Sequence, residues 1–153
     1  DTTEETLMLS ETRTLQQRLM AMVAQLKNAL TICIKVHATA FESTYPALQE
    51  ELKGALSQLG CNFVTDPSTA DWVIDISATA REYNKVATGN INTYFAYVDA
   101  TISITKTATG QRVYENMFTE KGGHTHNYQQ AARDAYKYLT PKIRKVVEEQ
   151  VKQ

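Results

Sequence analysis

The chain has 153 residues, 42% of them hydrophobic and 22% charged, and a formal net charge of -1. Such a length holds one ordinary domain with a core of its own, and the composition excludes wholesale disorder. Near-neutrality excludes the strong positive field of a dedicated nucleic-acid binder or a polybasic membrane adsorber.

Residues 1–9 are polar and threonine-rich, with Leu7, Met8 and Leu9 as their apolar content, and read as a flexible arm. From Ser10 the period changes. Leu15, Leu19, Met22, Val23 and Leu26 recur at helical spacing, Ser10 or Thr12 can cap the start, and Asn28 can stop the helix. This amino-terminal helix, 10–28, presents one apolar stripe that calls for a partner surface. Leu30 to His37 then alternates, with Leu30, Ile32, Ile34 and Val36 on one face, the pattern of a half-buried strand. Pro46 opens a second helix whose stripe is Leu48, Leu52, Ala55, Leu56 and Leu59, and Gly60 supplies its left-handed stop.

Cys61 to Thr65 is a short strand ended by the turn residues Asp66, Pro67 and Ser68. Trp72 to Ala80 and Tyr94 to Thr105 alternate as strands, and Asn84 to Asn92 between them reads as a long hairpin loop. Thr109-Gly110 turns the chain into a further strand, Arg112 to Glu120, where either register leaves Glu115 or Asn116 on the core face. Gly122-Gly123 reads as a break in the sheet. A last helix follows from about Asn127 to Glu149, with Tyr128, Ala132, Ala135, Leu139, Ile143 and Val146 inward. Pro141 lies within it and predicts a kink, or a restart capped by Thr140. Strands grouped between helices indicate a two-layer α+β domain over residues 10–153. Its sheet would have four to five mostly antiparallel strands, with helices on one face and the amino-terminal helix as an addition.

Five stretches carry a resemblance: Leu30 to Val36, the helix Leu48 to Gly60, Ala70-Asp71-Trp72-Val73-Ile74, Thr107 to Tyr114, and Gly122-Gly123 leading into Ala131-Ala132-Arg133-Asp134-Ala135. In this order, residues 30–150 resemble a bacterial envelope domain. It is shared by the amino-terminal domain of TolB, the penicillin-binding-protein activator lipoproteins and the curli secretion lipoprotein. The resemblance implies an exported, non-enzymatic domain that scaffolds or activates envelope machinery through protein contacts. It further implies a periplasmic location and a lipid-carrying cysteine ahead of Asp1 that anchors the protein at the outer membrane, its only membrane contact. Since Asp1 is not a methionine, the chain reads as a processed product.

Candidate chemistry is sparse. Cys33 and Cys61 lie in apolar segments and read as small buried hydrophobes, with one buried disulfide as the alternative. His124 and His126 form an H-x-H pair that could give two imidazoles to a metal, with His37, Asp99 or Glu120 as a third ligand. Two solvated histidines on a loop are the simpler expectation. Asp75 and Asp99 are polar-face carboxylates of neighbouring strands, an ordinary arrangement rather than an acid–base pair. No phosphate-binding glycine loop and no nucleophile elbow occurs, so no cofactor is expected. Lys142, Arg144, Lys145 and Lys152 read as a solvated helix end that complements the dipole.

Aromatics are more suggestive. Phe95 and Tyr97 share the strand face opposite Ala96 and Val98, with Tyr83, Tyr94 and Tyr128 near element ends. They either pack beneath the amino-terminal helix or form an exposed patch that anchors another protein. The expected function is protein binding through this patch or the 84–92 loop, with an envelope protein as partner. The alternative is a small-ligand or metal module built on His124 and His126.

Overall fold

The computed structural model describes residues 2–27 and 29–153. They divide into two compact units, the first thirty residues and Thr31–Gln153.

The first unit is a helix, α1, Thr2–Lys27. The expected flexible arm, residues 1–9, is helical from Thr2 onward. Residues 1–27 contain no glycine or proline, and Glu4 and Glu5 in the first turn complement the helix dipole. The hydroxyls of Thr6, Thr12 and Thr14 donate to the carbonyls of Thr2, Met8 and Ser10, four residues back. Thr12 therefore sits inside the helix and not at its start. Leu15, Leu19, Met22 and Val23 of the expected stripe are exposed. The expected stop at Asn28, and the side chain of Leu26, fall outside the described residues.

The second unit holds the core. Its elements are β1 (Thr31–Ala40), β2 (Ser43–Thr44), α2 (Ala47–Gln58), β3 (Asn62–Phe63), a short 3-10 turn at Pro67–Thr69, β4 (Trp72–Thr88), β5 (Ile91–Lys106), β6 (Arg112–His124) and α3 (Tyr128–Lys152). The sheet runs β2-β1-β4-β5-β6, with β3 also on β1. β4, β5 and β6 are antiparallel neighbours, whereas β1 pairs in parallel with β3 and β4. The fold is α+β, a mixed six-stranded sheet with its helices on one side.

Alternation puts Ile32, Ile34, Ile74, Ile76, Ala96, Val98, Ala100, Ile102 and Ile104 on the helix side, where all are buried. They meet Leu48, Leu52 and Leu56 of α2 and Ala131, Ala132, Ala135, Leu139 and Ile143 of α3. Burying a leucine or isoleucine side chain stabilises by roughly 1.5–3 kcal/mol each, so this seam is the main source of stability. α3 begins at Asn127, whose side chain accepts the amide of Gln130 (2.8 Å). It continues through Pro141 without a restart, and the Thr140 hydroxyl bonds back to the Tyr136 carbonyl (2.7 Å) instead of capping a new helix.

Two expectations are corrected here, and the open register of β6 is decided. The segment 84–92 is not a long loop: β4 and β5 continue as a paired ribbon to Thr88 and Ile91, joined by Gly89-Asn90 alone. Positive φ at Gly89 (61°) and not at Asn90 is the requirement of a type II′ hairpin turn. Gly122-Gly123 does not break the sheet but lies within β6, where the missing Cβ of Gly122 lets the α3 backbone at Ala131 and Ala135 pack directly on the strand. The register of β6 places Tyr114, Asn116, Phe118 and Glu120 on the helix side, opposite Ile104, Ile102, Ala100 and Val98. Asn116 is tolerated there because it is exposed and donates to the Tyr114 hydroxyl (3.0 Å), while Glu120 pairs with Lys142.

Candidate functional site

The sheet face away from α2 and α3 is built by cross-strand neighbours. Thr79, Asp99 and Thr119 lie in one row, and Arg81, Tyr97 and Lys121 in the next. A bulge between Glu82 and Asn84 inserts Tyr83, after which Asn84, Phe95 and Gly123 form a third row. The bulge leaves Tyr83 51% exposed and turns its ring edge-on to Tyr97, with centroids 5.0 Å apart.

Cations fill the spaces between these rings. The Arg81 guanidinium lies 4.3 Å from the Tyr97 ring centroid. The Lys121 ammonium is 4.8 Å from that of Phe95 and 5.1 Å from that of Tyr83. Such contacts contribute about 0.5–1 kcal/mol each at exposed sites, and they hold long side chains in place. Asp99 completes the lattice, accepting from Arg81 Nε (2.7 Å) and from the Thr119 hydroxyl (2.7 Å). Phe95 and Tyr97 are thus half-buried by residues of their own unit. Beyond them the β4–β5 ribbon projects, exposed from Arg81 through Asn92, with Val86 and Ile91 near its tip.

Hydrogen bonding to Arg81 is the main reason the Asp99 carboxyl is held below its ordinary range; Thr119 adds to this, and partial burial opposes it. A depressed carboxylate stabilises above its unfolded pKa of about 3.9, and that contribution is lost as pH falls through the lower folded value. Asp99→Asn is therefore expected to lower the urea midpoint at pH 7, with the difference between the two proteins shrinking as pH falls below the unfolded carboxyl value of about 3.9. A constant difference across that range would show that the carboxylate charge is not what Arg81 recognises.

The four aromatics singled out from sequence do not form one patch. Phe95, Tyr97 and Tyr83 share the outer face, whereas Tyr94 points to the helix side, edge-on to Tyr128 (5.0 Å) with Lys85 at 5.4 Å. Arg81 and Lys121, which complete the patch, escaped the sequence reading. Their signal was Gly89-Asn90, a two-residue turn dipeptide between segments of strand-forming residues.

His124 and His126 have ring centroids 6.4 Å apart at the end of β6. His124 Nδ1 accepts the backbone N–H of His126 (3.0 Å), so its lone pair is engaged and the proton of the neutral ring sits on Nε2. Asp99 is held by Arg81, and Glu120 on the opposite sheet face by Lys142. Among the described residues no group of three or more His, Cys, Asp or Glu is placed to hold a metal ion. Asp75 and Asp99 are four register positions apart along β4 and β5, not opposite one another. Cys33 and Cys61 are free, buried thiols; burial pushes the Cys61 thiol up, away from the reactive thiolate. At the carboxyl end, Arg144 pairs with Glu51, so α3 presents a partly neutralised basic face.

No family model matches the chain, and no curated protein matches it. Among solved structures, it is similar to a minor lipoprotein from Acinetobacter baumannii, with TM-score 0.54 and 16% identity over 78% of this chain and 93% of that one. A neuraminyllactose-binding hemagglutinin homologue from Helicobacter pylori gives 0.48 and 10%, covering 80% and 86%. A lipoprotein from Neisseria meningitidis gives 0.40 and 13%, covering 80% and 97%. The first of these shows that the chain shares its fold with a bacterial lipoprotein.

Proposed function

We propose that this chain is a non-enzymatic protein-binding or scaffolding domain of an exported bacterial envelope lipoprotein. It works in the periplasm, held at the outer membrane by an amino-terminal lipid. The fold shared with a bacterial lipoprotein supports the setting, as does the sequence resemblance to the TolB amino-terminal domain and its relatives. One observation carries the binding role: the lattice of Arg81, Tyr83, Phe95, Tyr97 and Lys121 at the root of a projecting, solvent-exposed hairpin. Ordered aromatic and arginine side chains lose little freedom on association, which is why they anchor protein interfaces.

The test is a photo-cross-linking residue at position 83 of the full-length protein in its own cells. A discrete adduct in the envelope fraction is expected, lost when Arg81→Glu and Lys121→Glu are combined. The same label at Glu149 of α3 should give none. Recovery of the protein from the cytosol, or equal cross-linking at both positions, would sink the proposal.

A further inference from the structure

Strand β1 is paired with β4 along one edge from Ile32 to Ala38, but along the other only at its two ends. There β3 meets Thr31 and Ile32, and β2 meets Thr39 and Ala40. The bonds at those ends fix which backbone groups point outward. Val64 N–H donates to the Ile32 carbonyl and Tyr45 N–H to the Ala38 carbonyl, while Asp71 N–H reaches the Thr31 carbonyl from the β4 side. Strand alternation then turns the N–H and C=O of Ile34 and Val36 to the outer edge. Among the described residues no strand pairs with them there.

The gap is walled. Two hollows of about 280 and 260 Å³ lie along it, the first lined by Lys35, Lys53 and Phe63, the second by Val36, His37 and Tyr45. Gln49 of α2 lines both, half-buried, and its carboxamide makes no hydrogen bond among the described residues. No carboxylate lines either hollow. The Cys33 thiol, donating to the Thr65 carbonyl (3.6 Å), secures one end of the gap. The other free edges differ: Thr79–Thr88 of β4 is largely solvated and carries a bulge and Lys85, and the outer edge of β6, paired only with β5, carries Arg112, Glu115 and Lys121, features that blunt an edge against pairing.

We infer that this gap receives an extended segment of a partner protein, about four residues long and bearing acidic side chains. It adds to β1 as a strand between β3 and β2. A span from Ile34 to His37 at roughly 3.3 Å per residue sets that length. Four outward backbone groups and the Gln49 amide supply the hydrogen bonds, and Lys35 and Lys53 supply the charge preference. This edge is separate from the Arg81–Tyr97 lattice, so it stands whether or not that face binds.

The probe is the N-acetylated hexapeptide Val-Glu-Val-Glu-Val-Glu, with its lysine counterpart as control, added to the whole chain and followed by amide hydrogen exchange. The glutamate peptide is expected to slow the Ile34 and Val36 amides by about tenfold or more and to leave Val86 on the projecting hairpin unchanged. Combining Lys35→Glu and Lys53→Glu, both on exposed side chains, should weaken binding by about fivefold and reverse the preference between the peptides. Unaltered exchange at millimolar peptide would overturn the inference. So would equal protection by both peptides. Protection that rises with protein concentration and needs no peptide would replace the proposed partner with a second copy of the chain.

Discussion

Gly122→Ala is expected to destabilise the domain by about 3 kcal/mol, lowering the midpoint of thermal unfolding by roughly 10 °C. A Cβ at this position would clash with the Ala135 amide nitrogen and the Ala131 carbonyl oxygen, and would sit 2.8 Å from Ala135 Cα. All three atoms belong to the α3 backbone, so relief requires the whole helix to lift from the sheet. Lifting it would loosen Ala96, Ala100, Leu139 and Ile143 together, all fully or almost fully buried. Two other glycines give controls in the same measurement. At Gly123 the added atom meets the Phe95 ring at 2.8 Å, a side chain that can swing, so Gly123→Ala should cost only about 1 kcal/mol. At Gly54, in the helix α2, nothing lies within 4 Å, and Gly54→Ala should stabilise by about 0.5–1 kcal/mol. If Gly122→Ala unfolds with the same midpoint as Gly54→Ala, the close approach of α3 does not limit stability.

Tyr136→Ala is the second large effect, at about 4 kcal/mol. Tyr136 is the largest fully buried side chain, and its ring stacks on Tyr45 with centroids 4.2 Å apart. It stands where β1 and β4 part after the last pair, Ala38 with Ala78. There its hydroxyl donates to the Thr39 carbonyl (2.7 Å) and lies 3.2 Å from that of Ala78. Burial pushes this phenol far above its ordinary value, so the proton needed for donation stays in place throughout the working pH range. Tyr136→Phe keeps the stacking ring and strands the two carbonyls, so it should cost about 1–2 kcal/mol. Chemical denaturation of both variants separates packing from hydrogen bonding. Equal losses would mean that the ring, and not the hydroxyl, closes this junction.

Each stretch that carries the resemblance has a physical task in the structure. Ala70 is buried, and the Asp71 carboxylate accepts the Thr31 amide (2.9 Å), tying the start of β1 to β4. Gly110, at φ 68°, turns β5 into β6, with the Gln111 amide bonded to the Thr109 hydroxyl (3.2 Å). Gly122 admits the alanine-rich face of α3, and Asp134 accepts the Gly123 amide (3.0 Å). Of these, the Gly110 turn is legible in a single sequence because it acts over a few residues, whereas the Asp71 and Gly122 contacts join segments that only the fold brings together. The aromatic patch was half legible. Alternation placed Phe95 and Tyr97 together, but the bulge at Tyr83 and the approach of Lys121 from β6 depend on pairing between distant segments.

What the sequence determined by itself was the class and the faces: period-two alternation in β1, β4 and β5, the Leu48–Leu52–Leu56 stripe, and the small-residue face of α3. Those follow from side-chain period alone, and an α+β domain with helices on one side is their consequence. Only the tertiary structure decided the parallel pairing of β1 with β4, the β6 register, the role of Gly122, and the strand-width gap between β3 and β2. Each of these depends on which distant segment supplies the neighbouring backbone. Periodicity carries no record of that choice, since the same alternating strand can pair on either edge and in either direction.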